Sequence, residues 1–100
     1  KGVKIIPIKV FHYKLPVYGF RIGNFAYITD ANYIPDEEMR KIEGSEIFVL
    51  NALRREKHIS HFTLDQAVEL LNRLKPKKAF LEAERQYNFA RRKIFTYFFW

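Results

Sequence analysis

Three side chains are well placed for chemistry: His12, Asp30 and His61 each fall where a strand should end or a helix begin. His12 follows the apolar, β-branched run Val3–Phe11, Asp30 follows Phe25–Thr29, and His61 precedes a helix start at Thr63. In open α/β sheets, ligands collect outside the carboxyl ends of strands, where rigid elements present polar groups from short loops. Imidazole nitrogen and carboxylate oxygen both bind zinc or manganese, and a carboxylate can bridge two such ions. His61 has a second use. Beside the exposed amides of a helix start, an imidazole can hydrogen-bond a phosphoryl group or protonate a leaving oxygen. Plainer readings stand next to these: a lone loop histidine is commonly solvated or hydrogen-bonded, and an aspartate before a helix is commonly a turn or cap residue. His58, on a charged loop, is assigned no role.

The elements that must position these residues follow from local pattern. Val3–Phe11 is expected as a strand, with Pro7 at an edge or bulge. Leu15-Pro16 is expected as a turn, and Val17–Ile22 and Phe25–Thr29 flank Gly23-Asn24, a two-residue hairpin signal in which both residues tolerate positive φ. Pro35 suits the first position of a short helix, Asp36 and Glu37 its positive end, and Gly44 its close. Glu46–Leu50 reads as a buried strand ending in Asn51, and residues 52–60 as a loop. Thr63-Leu-Asp-Gln66 has capping-box spacing, after which Leu64, Ala67, Val68, Leu71 and Leu74 repeat with helical period. Lys75–Lys78 ends that helix and Ala79–Leu81 resumes as a strand; Ala83–Lys93 is compatible with helix, and Ile94–Trp100 has strand character. Strands of one sheet running the same way would bring His12, Asp30 and His61 to one rim.

Composition sets the outer limits. At 100 residues and 48% hydrophobic content the chain is a single domain or part of one, too apolar to be disordered. It has no cysteine, which removes disulfides and thiolate metal sites. No apolar run approaches a membrane span and no signal-peptide pattern is present, so the expectation is a soluble cytoplasmic protein. Of the net charge of +7, residues 1–74 carry +2 and residues 75–100 carry +5, together with 8 of the 17 aromatics. Arg91-Arg-Lys93 beside Phe95, Tyr97, Phe98, Phe99 and Trp100 mixes cations with stacking rings as nucleic-acid segments do, yet such density also suits an inward-facing strand or a subunit contact.

Beyond these patterns, Val10-Phe-His-Tyr13, Tyr18-Gly-Phe20 and Ala26-Tyr-Ile-Thr-Asp30 resemble the second half of metallo-β-lactamase-fold hydrolases. The nearest resemblance is to the phosphoribosyl 1,2-cyclic phosphate phosphodiesterases. Ser60-His-Phe-Thr-Leu-Asp-Gln-Ala67 and Lys75-Pro-Lys-Lys-Ala-Phe-Leu81 continue it, so that it covers residues 3–81. The resemblance implies an αββα sandwich with two divalent metals at one edge, hydrolysing a phosphodiester or cyclic phosphate. By position, His12 is similar to a metal ligand, Asp30 to the carboxylate that bridges both metals, and His61 to the histidine that contacts phosphate. Asn51 stands at a site-adjacent strand end often filled by aspartate.

Two departures matter. The His-x-His-x-Asp-His motif of the family's N-terminal half does not occur in this sequence, and Glu82-Ala-Glu-Arg-Gln86 replaces a Thr-His-x-Ser-His pattern, with Ala83 at the ligand position. The expectation is therefore an α/β (α+β) fold: a partial αββα sandwich, with a mixed sheet, a β-hairpin and two to three helices. Residues 1–81 would form the C-terminal half of a metallo-β-lactamase-like domain, and 82–100 a divergent basic, aromatic tail. The expected function is that of a fragment of a zinc- or manganese-dependent phosphodiesterase, inactive alone, without a membrane partner and self-associating. A basic-aromatic nucleic-acid-binding module and a purely structural self-associating domain are the alternatives.

Overall fold

A computed structural model describes residues 2–53, 62–88 and 91–99. Strands β1 (Ile5–His12), β2 (Leu15–Ile22) and β3 (Phe25–Ile28) lead to helix α1 (Asp36–Ile42) and strand β4 (Ile47–Leu53). Helix α2 (Leu64–Leu74) and strands β5 (Lys78–Asn88) and β6 (Arg91–Phe99) follow. The strands form one mixed sheet in the order β1-β2-β3-β4-β5-β6. Pairing is parallel at β3–β4 and β4–β5 and antiparallel at β1–β2, β2–β3 and β5–β6. Consequently β1, β3, β4 and β5 run the same way and end at a common rim.

The Gly23-Asn24 hairpin forms as its composition predicts, with Gly23 at φ +53° and Ile22 opposite Phe25. The expected turn at Leu15-Pro16 does not form there. Both residues lie in β2, Pro16 opposite Phe11, and the turn is Tyr13-Lys14, where Tyr13 takes φ +58°. A two-residue hairpin loop needs positive φ, and the long register of β1 on β2 imposes it on a tyrosine that local preference would not choose. Pro7 lies in β1, an edge strand of the sheet, as a residue without an N–H should.

A second correction concerns residues 83–93. Alanine, glutamate, arginine and glutamine favour helix, but the chain pairs Ala83 with Phe95 and Gln86 with Arg92 as β5 and β6. Cross-strand pairing outweighs a weak intrinsic preference. Asn51 lies within β4 rather than at its end, and residues 54–60 of the expected loop lie outside the described residues.

One face of the sheet carries the core. Ile8 and Val10 of β1, Ala26 and Ile28 of β3, Phe48 and Leu50 of β4, and Ala79 and Leu81 of β5 are buried under Met39 and Ile42 of α1 and Ala67 and Leu71 of α2. Across the sheet, Phe48 is paired with Ala26 on one side and Ala79 on the other, so two small residues make room for the ring. Capping fixes both helices. The Thr63 hydroxyl accepts from the Gln66 amide at 3.1 Å while the Thr63 amide donates to Gln66 Oε1 at 2.9 Å. At the end of α1, Arg21 Nη1 donates to the carbonyls of Lys41 (3.0 Å) and Glu43 (2.8 Å), satisfying groups that have no partner within the helix.

Helix α1 is also tied to β1. The Glu38 carboxylate accepts from Lys41 Nζ at 2.9 Å and from the Lys9 amide at 2.6 Å, and the Lys41 hydrogen bond holds its pKa below the ordinary glutamate value despite partial burial. A depressed carboxylate stabilises the fold above the unfolded pKa, and that contribution is lost as pH falls through the folded one. Glu38→Gln is expected to cost about 1–2 kcal/mol at neutral pH, and its urea midpoint should converge with that of the parent chain in acid. Equal midpoints at neutral pH would dismiss the contribution.

Candidate functional site

Asp30 follows β3 at the rim where β1, β3, β4 and β5 end, and adopts φ +51°. That left-handed conformation is uncommon outside glycine, and aspartate and asparagine are the residues that best tolerate it. It turns the chain sharply, and buried Ile28 on one side and buried Ala31 on the other hold the turn in place. Asp30 itself is exposed.

From this turn the chain crosses to the end of β1. The Asn32 amide donates to the Phe11 carbonyl at 2.9 Å, and the Phe11 amide donates to the Tyr33 carbonyl at 3.0 Å. The Asn32 side-chain oxygen accepts from the Tyr13 amide at 2.9 Å. His12, the last residue of β1 and half-buried, is therefore flanked on both sides by residues bonded to the loop that carries Asp30. The rings of Phe11 and Tyr33 lie 6.2 Å apart, closing the same junction from the side.

A third segment arrives at the same loop. The Phe62 amide donates to the Ala31 carbonyl at 3.0 Å, so the chain entering α2 is fastened beside Asp30. His61, the third sequence candidate, lies outside the described residues. The structure thus brings the segments of His12 and Asp30 together and binds the residue that follows position 61 to their junction.

Asn32 was not prominent in the sequence, although it is a positioning residue for this junction. Its signal is local: a short polar side chain two residues after Asp30, in a tight non-helical turn, is suited to accept a backbone amide.

The donor types of His12 and Asp30 suit a divalent ion, but their number does not. Among the described residues, no three histidine, aspartate or glutamate side chains converge as a metal site. A protein zinc site takes three or four protein ligands. The described residues are therefore insufficient for a metal centre, and no hydrolytic step follows from them alone. Also among the described residues, no helix is long and apolar enough to cross a membrane.

Comparison with known proteins agrees with this architecture. A crystal structure of a new diphosphatase from the PhnP family superposes with a TM-score of 0.77 at 41% sequence identity, covering 80% of this chain and 32% of that one. An octanoyltransferase of Porphyromonas gingivalis (strain ATCC BAA-308 / W83) is 33% identical over 69 residues, which are 68% of this chain and 14% of that protein. The chain thus spans about a third of the diphosphatase and a much smaller part of the octanoyltransferase. The beta-lactamase superfamily domain matches residues 1–82, from the start of the chain into β5, so the long extension of β5 and all of β6 lie beyond the match. By that match, and by a partial sandwich with a mixed sheet under two helices, this chain belongs to the beta-lactamase superfamily.

Proposed function

We propose that this chain is a C-terminal fragment of a metal-dependent phosphodiester hydrolase and carries a residual part of its site. His12 and Asp30 would be ligands to a divalent ion, zinc or manganese, once further ligands complete the site, with Asp30 the carboxylate shared between ions, and His61 would contact the phosphate and assist proton transfer. Residues 1–81 are the family domain half, and 82–100 a divergent extension. The substrate class is a phosphodiester or cyclic phosphate, a reading supported by the diphosphatase among its relatives. The observation that carries the proposal is the junction itself: hydrogen bonds from Phe11, Tyr13, Asn32 and Phe62 hold the Asp30 loop against the end of β1. With too few ligands for a complete centre among the described residues, the chain alone does not turn over substrate, and two copies associate.

Native mass spectrometry with added zinc or manganese tests the metal assignment. The expected result is specific uptake by the parent chain that is lost in Asp30→Asn and in His12→Ala. Uptake unchanged in both variants, or no uptake by the parent chain, would remove these residues as ligands. Hydrolysis of a chromogenic phosphodiester by the chain alone, abolished by His61→Ala, would overturn the incomplete site.

A further inference from the structure

Strands β5 and β6 run on past the sheet that they edge. The last pair between β4 and β5 is Leu53 with Ala83. Beyond it, among the described residues, only β5 and β6 continue: Glu84 opposite Ile94, Arg85 opposite Lys93, Gln86 opposite Arg92 and, past an irregularity, Asn88 opposite Arg91. As strand, residues 84–88 reach about 17 Å. Ile28, Leu50 and Leu81 are aligned across β3, β4 and β5, so this two-stranded ribbon starts level with the Asp30 turn and stands above the rim. It also lies wholly beyond the family match, which ends at residue 82.

Arg85, Arg91, Arg92 and Lys93 make the ribbon basic, against the single acid Glu84. Register puts Arg85 directly opposite Lys93, and like charges so placed repel. The preceding pair on their face is Ala83 with Phe95, which offers no carboxylate. Ala79 and Leu81 face the helices, and alternation carries Arg85 and Lys93 to the same side. That side of a sandwich carries helices and not the second sheet, so the pair lies off the surface that a second sheet would cover. Arg92, opposite Gln86, falls on the other face. The ribbon thus holds cations on both faces, and an anion bound beside Arg85 and Lys93 would relieve their repulsion.

We propose that this ribbon binds double-stranded DNA by entering its major groove. A B-form major groove, about 12 Å wide, admits a two-stranded ribbon between walls of phosphate. Cations on both faces then meet both walls, whereas an anionic membrane or a flat acidic protein would meet one face and leave the other idle. Double-stranded RNA has too narrow a major groove for such an insertion. The proposal goes beyond the hydrolase reading and stands whether or not His12 and Asp30 hold a metal.

Fluorescence anisotropy of a labelled, mixed-sequence DNA duplex, titrated with the full chain in the presence of a chelator at several salt concentrations, tests it. Binding should weaken steeply with salt, with a log–log slope of roughly −3 to −4 for about four phosphate contacts. Arg85→Gln combined with Lys93→Gln should flatten that slope by about two and weaken binding on the order of tenfold or more. The same variant should not lower the urea midpoint, because it removes a like-charge pair. Lys4→Gln combined with Arg40→Gln is the control: an equal loss of charge at exposed positions toward the opposite end of the sheet, which should leave the affinity within about twofold. No binding at low salt, or equal losses in the two variants, would overturn the ribbon as the contact. Equal affinity for a duplex RNA would overturn insertion into the groove, and tighter binding to phosphatidylserine vesicles would overturn DNA as the partner.

Discussion

Gly19→Ala is expected to destabilise the fold by about 3 kcal/mol or more, a large share of the roughly 5–10 kcal/mol that holds a domain of this size together. Gly19 is buried in β2 opposite Ile8, and β3 closes over it from the other side. A Cβ there would run into the Tyr27 carbonyl oxygen and would lie 2.6 Å from Ile28 Cδ1 and 3.2 Å from Ile28 Cα. The isoleucine tip can rotate away, but the Tyr27 carbonyl belongs to the backbone of β3 and moves only with the strand. Gly23→Ala is the comparison. Its Cβ would meet open space, and only the φ of +53° opposes it, at about 1 kcal/mol. Urea denaturation of both variants separates the two causes. Equal midpoints would mean that β2 and β3 can spread apart at little cost.

Phe48→Ala should cost about 3–5 kcal/mol, because the ring fills a gap that its neighbours leave open. Phe48 is fully buried between Ala26 and Ala79, and its loss would put three alanines side by side under the helices. Neither flanking methyl can extend into the void, so the cavity persists. Phe48→Leu retains most of the volume and should cost far less. Chemical denaturation again measures both, and a small effect of alanine would show that α1 and α2 settle onto the sheet.

Local chemistry made much of this legible. Gly23-Asn24 announces its hairpin through positive φ, and Thr63 with Gln66 announces α2 through the capping box, because in each case neighbouring residues decide the conformation. His12 and Asp30 are legible as strand-end residues for the same reason. The strand character of Ala83–Gln86 was hidden, since it depends on β6, whose pairing residues lie farther along the chain. Tyr13 in a left-handed turn was hidden too, because the register of β1 on β2 places it there. Asn32 acquires its role only when the loop after β3 folds back on β1, a contact between residues 19 positions apart. His61 is legible only from its place before the Thr63 cap, and the residue that follows it, Phe62, donates its amide to the Ala31 carbonyl.

The sequential order of the strands bears on how the chain comes into being. From β2 onward, each strand finds a partner in the strand made just before it. During synthesis, β1 and β2 can close as a hairpin within microseconds of becoming available, and β3 can join their open side before α1 has emerged. The sheet then grows from its N-terminal edge outward, with the slow crossovers to β4 and β5 added to an existing template. Within this stretch β6 is made after β1–β5, so defects in it fall more on the rate at which the sheet frays than on the rate at which those five strands form.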